Sequence, residues 1–222
     1  MKKICVATYN IFHGDYVKED VGLIGRELSG LGADLVGLQE VDICTERVGG
    51  ADTLRQIAEA GGYPYYAFSH AIDLRGGEYG TAVLSRYPIL SFETVPLSSP
   101  DVEGRSVGHA LIDVDGRRID FFNTHLSVES QEVRLCQFGE LKALIDKCQS
   151  VIVTGDFNTE DLEDLALLSP LVTVNEKRFG SYYPRNIAID HIFYTEDFTP
   201  SDVQLPALPH SDHYPITACF SF

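Results

Sequence analysis

Eight polar residues lie at or just beyond the ends of short apolar runs that predict β-strands: Asn10, Glu40, His125, Asp156, Asn158, Asp190, Asp212 and His213. Strand ends usually carry turn formers, so glutamate and histidine in these places indicate a functional site. Mg²⁺ and similar hard cations prefer carboxylate and amide oxygens, such as those of Asn10, Glu40 and Asp212, whereas Zn²⁺ requires more histidine or cysteine. The set therefore predicts bound Mg²⁺ or Mn²⁺.

The segment 151–159, VIVTGDFNT, shows the pattern most clearly. A β-branched apolar run predicts a buried strand, and Gly155 ends it, so that Asp156 and Asn158 emerge at the rim of a sheet. The alternative is an Asx turn, in which both side chains only bond the local backbone. Each of the other residues also has a structural alternative, such as a turn cap, a surface acid or a hydrogen-bonded histidine. Eight such residues at strand ends favour a site.

Hydrophobic periodicity predicts the elements that position these residues. Predicted strands cover residues 4–9, 35–38, 63–69, 80–85, 107–114, 118–124, 151–154, 187–194 and 216–220. Predicted helices cover residues 21–31, 52–60, 131–147 and 162–168. The dipeptide Asp115-Gly116 predicts a tight hairpin. The two halves repeat one order, because Asn10 leads through a helix to Glu40 and His125 leads through a helix to Asp156. Two such halves, packed sheet to sheet, predict an α/β (α+β) protein with four α/β/β/α layers.

Composition limits the classes of partner. The 222 residues carry 33 acidic and 17 basic side chains, a formal charge of −16, and 44% of the residues are hydrophobic. Nucleic acid would be repelled unless a basic groove or a metal reversed this charge, and no run of lysine and arginine predicts such a groove. No linker or low-complexity tract divides the chain, so one domain over residues 1–222 is expected. We take a monomer as the default state.

The cysteines and the apolar segments lead to an expectation about compartment. Five scattered cysteines without a CxxC pair predict buried free thiols in a reducing environment. No apolar core of a signal peptide follows the first residues, and no stretch of about 18 apolar residues predicts a membrane span. A soluble, cytoplasmic protein is therefore expected.

The motifs TYNIFHG, LQEVD, YGTAVLSRYPI, NTHL, GDFN, IDHIF and SDHYP together resemble those of the endonuclease/exonuclease/phosphatase superfamily, from residue 8 to residue 215. The resemblance implies a DNase I-like four-layer sandwich and metal-dependent cleavage of a phosphate ester. It implies metal ligation by Glu40, with Asn10 and Asp212 close by.

The resemblance also implies catalytic roles. Asp156 would activate the attacking water, Asn158 would orient it, and His213, held by Asp190, would bind a phosphate oxygen. His125 would assist the departing oxygen. Such a set meets the needs of in-line attack on phosphorus, which are an activated water, charge neutralisation and leaving-group assistance.

One position departs from the nuclease members of the superfamily, which often carry an acidic residue where this chain has Phe12. Arg47, Arg105 and Tyr79 are predicted to contact the substrate, although surface salt bridges are an alternative for the arginines. Loops at 42–50 and 73–79 are predicted to select it. The expected activity is hydrolysis of a small-molecule or phospholipid-type phosphodiester or phosphomonoester. A DNA or RNA nuclease is the first alternative, and an inactive binding module is the second.

Overall fold

Two six-stranded sheets form the centre of the protein, whose computed structural model describes residues 2–176 and 179–222. In spatial order the first sheet contains β11 (Thr199–Gln204), β12 (Ile216–Ser221), β1 (Lys3–Asn10), β2 (Leu35–Ile43), β4 (Gly77–Ser85) and β3 (Tyr65–Leu74). The second contains β5 (Ile89–Leu97), β6 (Arg105–Val114), β7 (Arg117–His125), β8 (Val151–Asp156), β10 (Asp190–Tyr194) and β9 (Val172–Thr173).

Each sheet has one parallel pair at its centre, and these pairs account for the repeated order of the two halves. β1 and β2 are parallel and connected through α1 (Gly22–Gly30), and β7 and β8 are parallel and connected through α3 (Gln131–Ile145). The register pairs Asn10 with Gln39 and His125 with Asp156. Because parallel neighbours end at the same edge of a sheet, each pair delivers two polar residues to one edge.

The helices cover the outer faces of the sheets. α1 and α2 (Thr53–Gly61) share an apolar core with β1 and β2, and α3 shares a second core with β7 and β8. A third core fills the space between the sheets. A short helix, α4 (Leu162–Leu165), follows β8. The four-layer α/β/β/α prediction is confirmed.

Local chemistry sets the helix ends. The Asp52 side chain accepts a hydrogen bond from the backbone N–H of Arg55 and caps α2, which ends at Gly62 in a left-handed conformation (φ 68°). Ser130 caps α3 in the same way. Helix α3 ends at Ile145, two residues before its predicted end.

The structure of two segments differs from the prediction. β2 does not end near Leu38 but continues to Ile43 through a bulge, in which Glu40 has a left-handed φ of 58°. The segment 73–79, predicted as a loop, is the end of the β3–β4 hairpin. The reason is its Gly76, whose φ of 80° allows a tight turn instead of an open loop.

The prediction of five buried free thiols is wrong. Cys5 and Cys219 form a disulfide between β1 and β12, where they are direct register partners. Their separation of 214 residues in sequence gave no sign of this pairing. Cys44 and Cys136 are exposed. The argument for a reducing compartment therefore loses its basis.

The helices of the described ranges include none that is long and apolar enough to cross a membrane.

A glycine allows the two sheets to approach closely beneath the polar strand ends. A Cβ atom at Gly37 of β2 would collide with the side chains of Asn123 and Thr154, which project from the second sheet. Only glycine fits here without moving one sheet.

Asn123 forms four hydrogen bonds at this place, three to the first sheet and one, from Thr154, within its own sheet. Its Nδ2 donates to the carbonyls of Leu38 (2.8 Å) and Ala82 (2.9 Å), beside the bulge in β2. Its Oδ1 accepts from Gln39 Nε2 (2.7 Å) and Thr154 Oγ1 (3.0 Å). We call these five residues the inter-sheet clasp. Because Gln39 precedes Glu40, the clasp also fixes the bulge that presents Glu40.

We predict that Asn123→Ala lowers the free energy of unfolding by roughly 2 to 4 kcal/mol, because it leaves buried donors and acceptors unpaired. Denaturant unfolding followed by circular dichroism measures this. Gln149→Ala, which removes an exposed amide, is the control and should stay within about 0.5 kcal/mol. Equal stability of the two variants would contradict a structural role for the clasp.

Candidate active site

The structure gathers the polar strand ends into one cleft of about 660 Å³ between the edges of the two sheets. Its lining includes Glu40, His125, Asp156, Asn158, Asp212 and His213. The other two residues are buried behind this lining and bond to it: Asn10 ends β1 and Asp190 begins β10. All eight residues predicted from the sequence thus come together.

Asp156 is the centre of this arrangement. It is 1% exposed, and its Oδ2 accepts a hydrogen bond from Asn10 Nδ2 at 3.1 Å. The Nε2 atoms of His125 and His213 lie 3.5 and 3.7 Å from the same oxygen. Burial and the neighbouring Asp190 carboxylate raise the pKa of Asp156, while His213 opposes this shift. A carboxylate with a raised pKa accepts protons more readily than an ordinary aspartate.

His213 and Asp190 form a buried ion pair. His213 Nδ1 donates to Asp190 Oδ2 at 2.7 Å, so the other ring nitrogen is directed at Asp156. Burial by itself lowers the pKa of His213, but the charges of Asp190 and Asp156 and the hydrogen bond to Asp190 raise it to about 10. The imidazole is therefore cationic at neutral pH.

His125 has the opposite protonation state. Arg105 Nη1 lies 3.1 Å from His125 Nδ1 and can only donate, so the imidazole accepts at Nδ1 and carries its proton on Nε2. Burial, followed by the positive charge of Arg105, holds the pKa of His125 well below its usual value. Glu103 in turn pairs with Arg105 at 2.8 Å. The result is a neutral histidine with an N–H directed toward Asp156.

Glu40 is held from two sides. Its Oε1 accepts from Asn10 Nδ2 at 3.1 Å, and its Oε2 lies 3.6 Å from Nδ1 of His13. Burial raises the pKa of Glu40, but His13 and Asn10 outweigh this effect and lower it to about 2. Asn10 Oδ1 accepts from the N–H of Phe12, so the amide nitrogen of Asn10 faces the carboxylates.

Asp212 precedes His213 on a turn that is tied to β1. Ser211 Oγ donates to the carbonyl of Asn10 at 2.7 Å and accepts from the N–H of His213 at 3.2 Å. This serine holds the turn against the end of β1. Burial, with the nearby charge of Glu40, raises the pKa of Asp212.

Asn158 forms an Asx turn and also lines the cleft, so both interpretations of its motif apply. Its backbone N–H donates to Asp156 Oδ1 at 3.0 Å, as in an Asx turn, and its φ is 51°. Its Nδ2 donates to the carbonyl of Leu126 at 2.9 Å. The turn therefore builds part of the site.

Arg47, Arg105 and Tyr79 also line the cleft. Arg47 forms a two-pronged pair with the buried Asp42, with both distances at 2.7 Å, and lies over the Tyr79 ring at 5.2 Å. Both arginines are held by carboxylates of the chain while they border the cleft, so the salt-bridge and cleft-lining interpretations both apply. The segments predicted to select the substrate reach the cleft through Arg47 and Tyr79.

The donor set of the cleft fits a hard divalent cation. The carboxylates of Glu40 and Asp212 line it, and Asp190 Oδ1 is a buried acceptor without a hydrogen-bond partner among the described residues. Burial raises the pKa values of Asp156 and Asp212, and the neighbouring carboxylates of Asp190 and Glu40 add to the two shifts, so a bound cation would stabilise the ionised forms. Oxygen donors with excess negative charge are what Mg²⁺ and Mn²⁺ require. The carboxylates of Asp156 and Asp190 add to this set, with one oxygen of each within 4.8 Å of the other.

Three basic residues of the cleft were missed from the sequence: His13, Arg134 and Arg185. His13 belongs to the first motif, but its position depends on three successive left-handed residues, Phe12, His13 and Gly14 (φ 46°, 44° and 76°). Such backbone conformations are uncommon outside functional sites, and hydrophobic periodicity in the sequence does not predict them. No sequence signal marked either arginine.

We predict that Asp190→Asn lowers the pKa of His213 from its value of about 10, because the variant removes the adjacent charge and leaves only the more distant carboxylates. The stabilisation from this pair is complete below the ordinary histidine pKa of about 6.5 and is lost as the pH rises through about 10. NMR titration of the imidazole measures the shift. Asp120→Asn, whose partner is His109, is the control, and an unchanged pKa of His213 in Asp190→Asn would contradict the pairing.

Comparisons with known proteins agree with this architecture. The model of the endonuclease/exonuclease/phosphatase family matches residues 7–213. Among curated protein sequences, none matches significantly.

Three solved structures illustrate the structural likeness. An endonuclease/exonuclease/phosphatase from Beutenbergia cavernae is 20% identical, with a TM-score of 0.84 over 99% of this chain and 72% of that chain. A second from Bacteroides vulgatus is 19% identical, with a TM-score of 0.83 over 100% of both chains. A mannosyl-6-phosphatase from Bacteroides thetaiotaomicron is 20% identical, with a TM-score of 0.75 over 99% of this chain and 100% of that chain. At these identities the likeness concerns the fold alone.

Proposed function

Since the chain belongs to the endonuclease/exonuclease/phosphatase family, we propose that it is a divalent-metal-dependent hydrolase of phosphate esters that acts on a small-molecule or phospholipid-type substrate. The observation that carries the proposal is the convergence of Asn10, His125 and His213 on one oxygen of Asp156, in a cleft that the carboxylates of Glu40 and Asp212 also line. A buried base, a cationic donor and a neutral donor are then within reach of one phosphate.

In this proposal Asp156 accepts the proton of the attacking water. Its raised pKa and its burial support this role, because a general base works best when its pKa lies near the working pH. Asn10 and the N–H of Asn158 fix both carboxylate oxygens. Asn158 orients the water beside Asp156 from the rim of the cleft.

His213 binds a non-bridging phosphate oxygen through Nε2–H. Its positive charge, maintained by Asp190, neutralises charge that develops on that oxygen during attack. Asp190 orients the imidazole through the hydrogen bond that it accepts from Nδ1.

His125 assists the departure of the leaving group. The donation from Arg105 keeps its proton on Nε2, facing the cleft. That N–H stabilises or protonates the departing ester oxygen. Arg105 thereby positions His125, and Arg47 and Tyr79 border the space for the substrate.

Glu40 and Asp212 would hold the metal, and Asn10 would fix Glu40 through its amide nitrogen. When bound, Mg²⁺ or Mn²⁺ supplies positive charge to the phosphate oxygens and lowers the barrier to attack. Glu40 is suited to ligation because its lowered pKa keeps it ionised.

The lining of the cleft supports an anionic substrate of modest size. Four arginines border it in a chain of net charge −16: Arg47, Arg105, Arg134 and Arg185. The mannosyl-6-phosphatase among the similar structures is consistent with a small phosphate ester. The same arginines keep a nuclease as the second candidate, although the net charge opposes it.

We predict that EDTA abolishes hydrolysis of bis(p-nitrophenyl) phosphate and that Mg²⁺ or Mn²⁺ restores it, because charge neutralisation at phosphorus depends on the metal. A parallel panel of p-nitrophenyl phosphate, sugar phosphates and a single-stranded oligonucleotide separates the two candidates. Faster turnover of the oligonucleotide favours the nuclease, and EDTA-resistant hydrolysis would overturn the metal dependence.

We also predict that His213→Ala and Asp156→Asn each reduce turnover by roughly 10² to 10⁴-fold without loss of the fold. Steady-state kinetics with a circular dichroism spectrum of each variant checks this. His70→Ala is the matched control, because His70 is exposed and outside the cleft lining. A near wild-type rate in either site variant would show that its role is misassigned.

A further inference from the structure

A second cluster of metal-ligating side chains lies away from the cleft, on the second sheet. It joins His109 of β6, Asp120 of β7 and Cys148, which follows α3. One donor atom from each lies within 4.8 Å of the other two. His109 Nε2 is already 2.8 Å from Asp120 Oδ1. The cluster thus gathers three chemically different donors from three separate elements.

The packing fixes the orientation of the imidazole. The His109 ring is stacked on Phe122, with 4.1 Å between ring centroids and 9° between their planes. Stacking fixes the plane of the ring, and the contact of Nε2 with Asp120 Oδ1 selects its direction within that plane, so little conformational entropy is lost when a ligand binds.

The three side chains are also accessible. The side chains of His109 and Asp120 are 25% and 20% exposed, and that of Cys148 is half-buried. Cys148 borders an open cavity whose lining includes Ser150, Thr195 and Asp197. An ion can therefore reach the cluster from solvent, and water can supply a fourth ligand.

The donor types favour a softer cation than the one proposed for the cleft. Thiolate, imidazole and carboxylate together are a zinc-type set, whereas Mg²⁺ binds oxygen alone. Zinc bonds of about 2.0 to 2.3 Å place tetrahedral ligands roughly 3.3 to 3.8 Å apart. Separations within 4.8 Å need only small side-chain rotations to reach that geometry.

We propose that His109, Asp120 and Cys148 form a Zn²⁺ site with one position open to water. On binding, the Cys148 thiol releases its proton to solvent and the thiolate ligates the ion. The site would join the end of α3 to the neighbouring strands β6 and β7, remote from the residues proposed for catalysis.

Cobalt titration tests the site directly, since thiolate-ligated Co²⁺ gives a near-ultraviolet charge-transfer band that oxygen ligands do not give. The background is the full-length C44S/C136S variant, because those two thiols are exposed and could bind cobalt themselves. We expect the band in this background, its displacement by Zn²⁺, and its loss when Cys148→Ser is added. The rate at which the Cys148→Ser variant hydrolyses bis(p-nitrophenyl) phosphate should equal that of the C44S/C136S background.

His109→Gln and Asp120→Asn provide a second test that keeps the thiol. Each should weaken cobalt binding by about tenfold or more. If Cys148→Ser fails to fold, these two variants decide the question. Absence of the band at saturating Co²⁺, its persistence in Cys148→Ser, or unchanged affinity in both other variants would overturn the proposal. None of these results bears on the catalytic cleft, so the two proposals can fail separately.

Discussion

The contact between Asn123 and the bulged strand β2 is the constraint on which the cleft depends. Gly37 lets the sheets touch, and Asn123 uses its amide to bond both of them at that point. A buried polar network has one satisfied arrangement, unlike an apolar contact that can slide. The register between the sheets is therefore fixed directly beneath Glu40 and Asp156.

Concentrated negative charge is the second constraint. Burying several carboxylates in one cleft is unfavourable unless cations or donors compensate them. The protein compensates Glu40 through His13 and Asn10, and Asp190 through His213, but leaves Asp156 and Asp212 with raised pKa values. Because its charge is only partly compensated, Asp156 accepts a proton more readily than an ordinary aspartate. A metal ion would supply the remaining positive charge. The same residues therefore account for both the activation of water and the binding of a metal in the proposed function.

The order of strands and helices and the residues at their ends could be predicted from the sequence, because apolar periodicity and turn formers act locally. Asn10, His125 and Asp156 end their strands as expected. Glu40 lies in a bulge instead, since bulges depend on the partner strand. The Cys5–Cys219 bridge depends on a pairing between the two ends of the chain. The position of His13 depends on a run of left-handed backbone conformations at residues 12–14. These three failures thus concern a contact distant in sequence or a backbone conformation without a residue signature.

In the proposed mechanism, one activated water attacks phosphorus in line with the leaving oxygen, and no covalent intermediate forms on the protein. The stereochemical course at phosphorus tests it most directly. A chiral p-nitrophenyl phosphorothioate diester, hydrolysed in ¹⁸O-labelled water with Mg²⁺ or Mn²⁺, gives a product whose configuration reports the number of displacements. We expect inversion, because a single attack by the water beside Asp156 inverts the configuration at phosphorus. Retention would indicate two successive displacements and would contradict it.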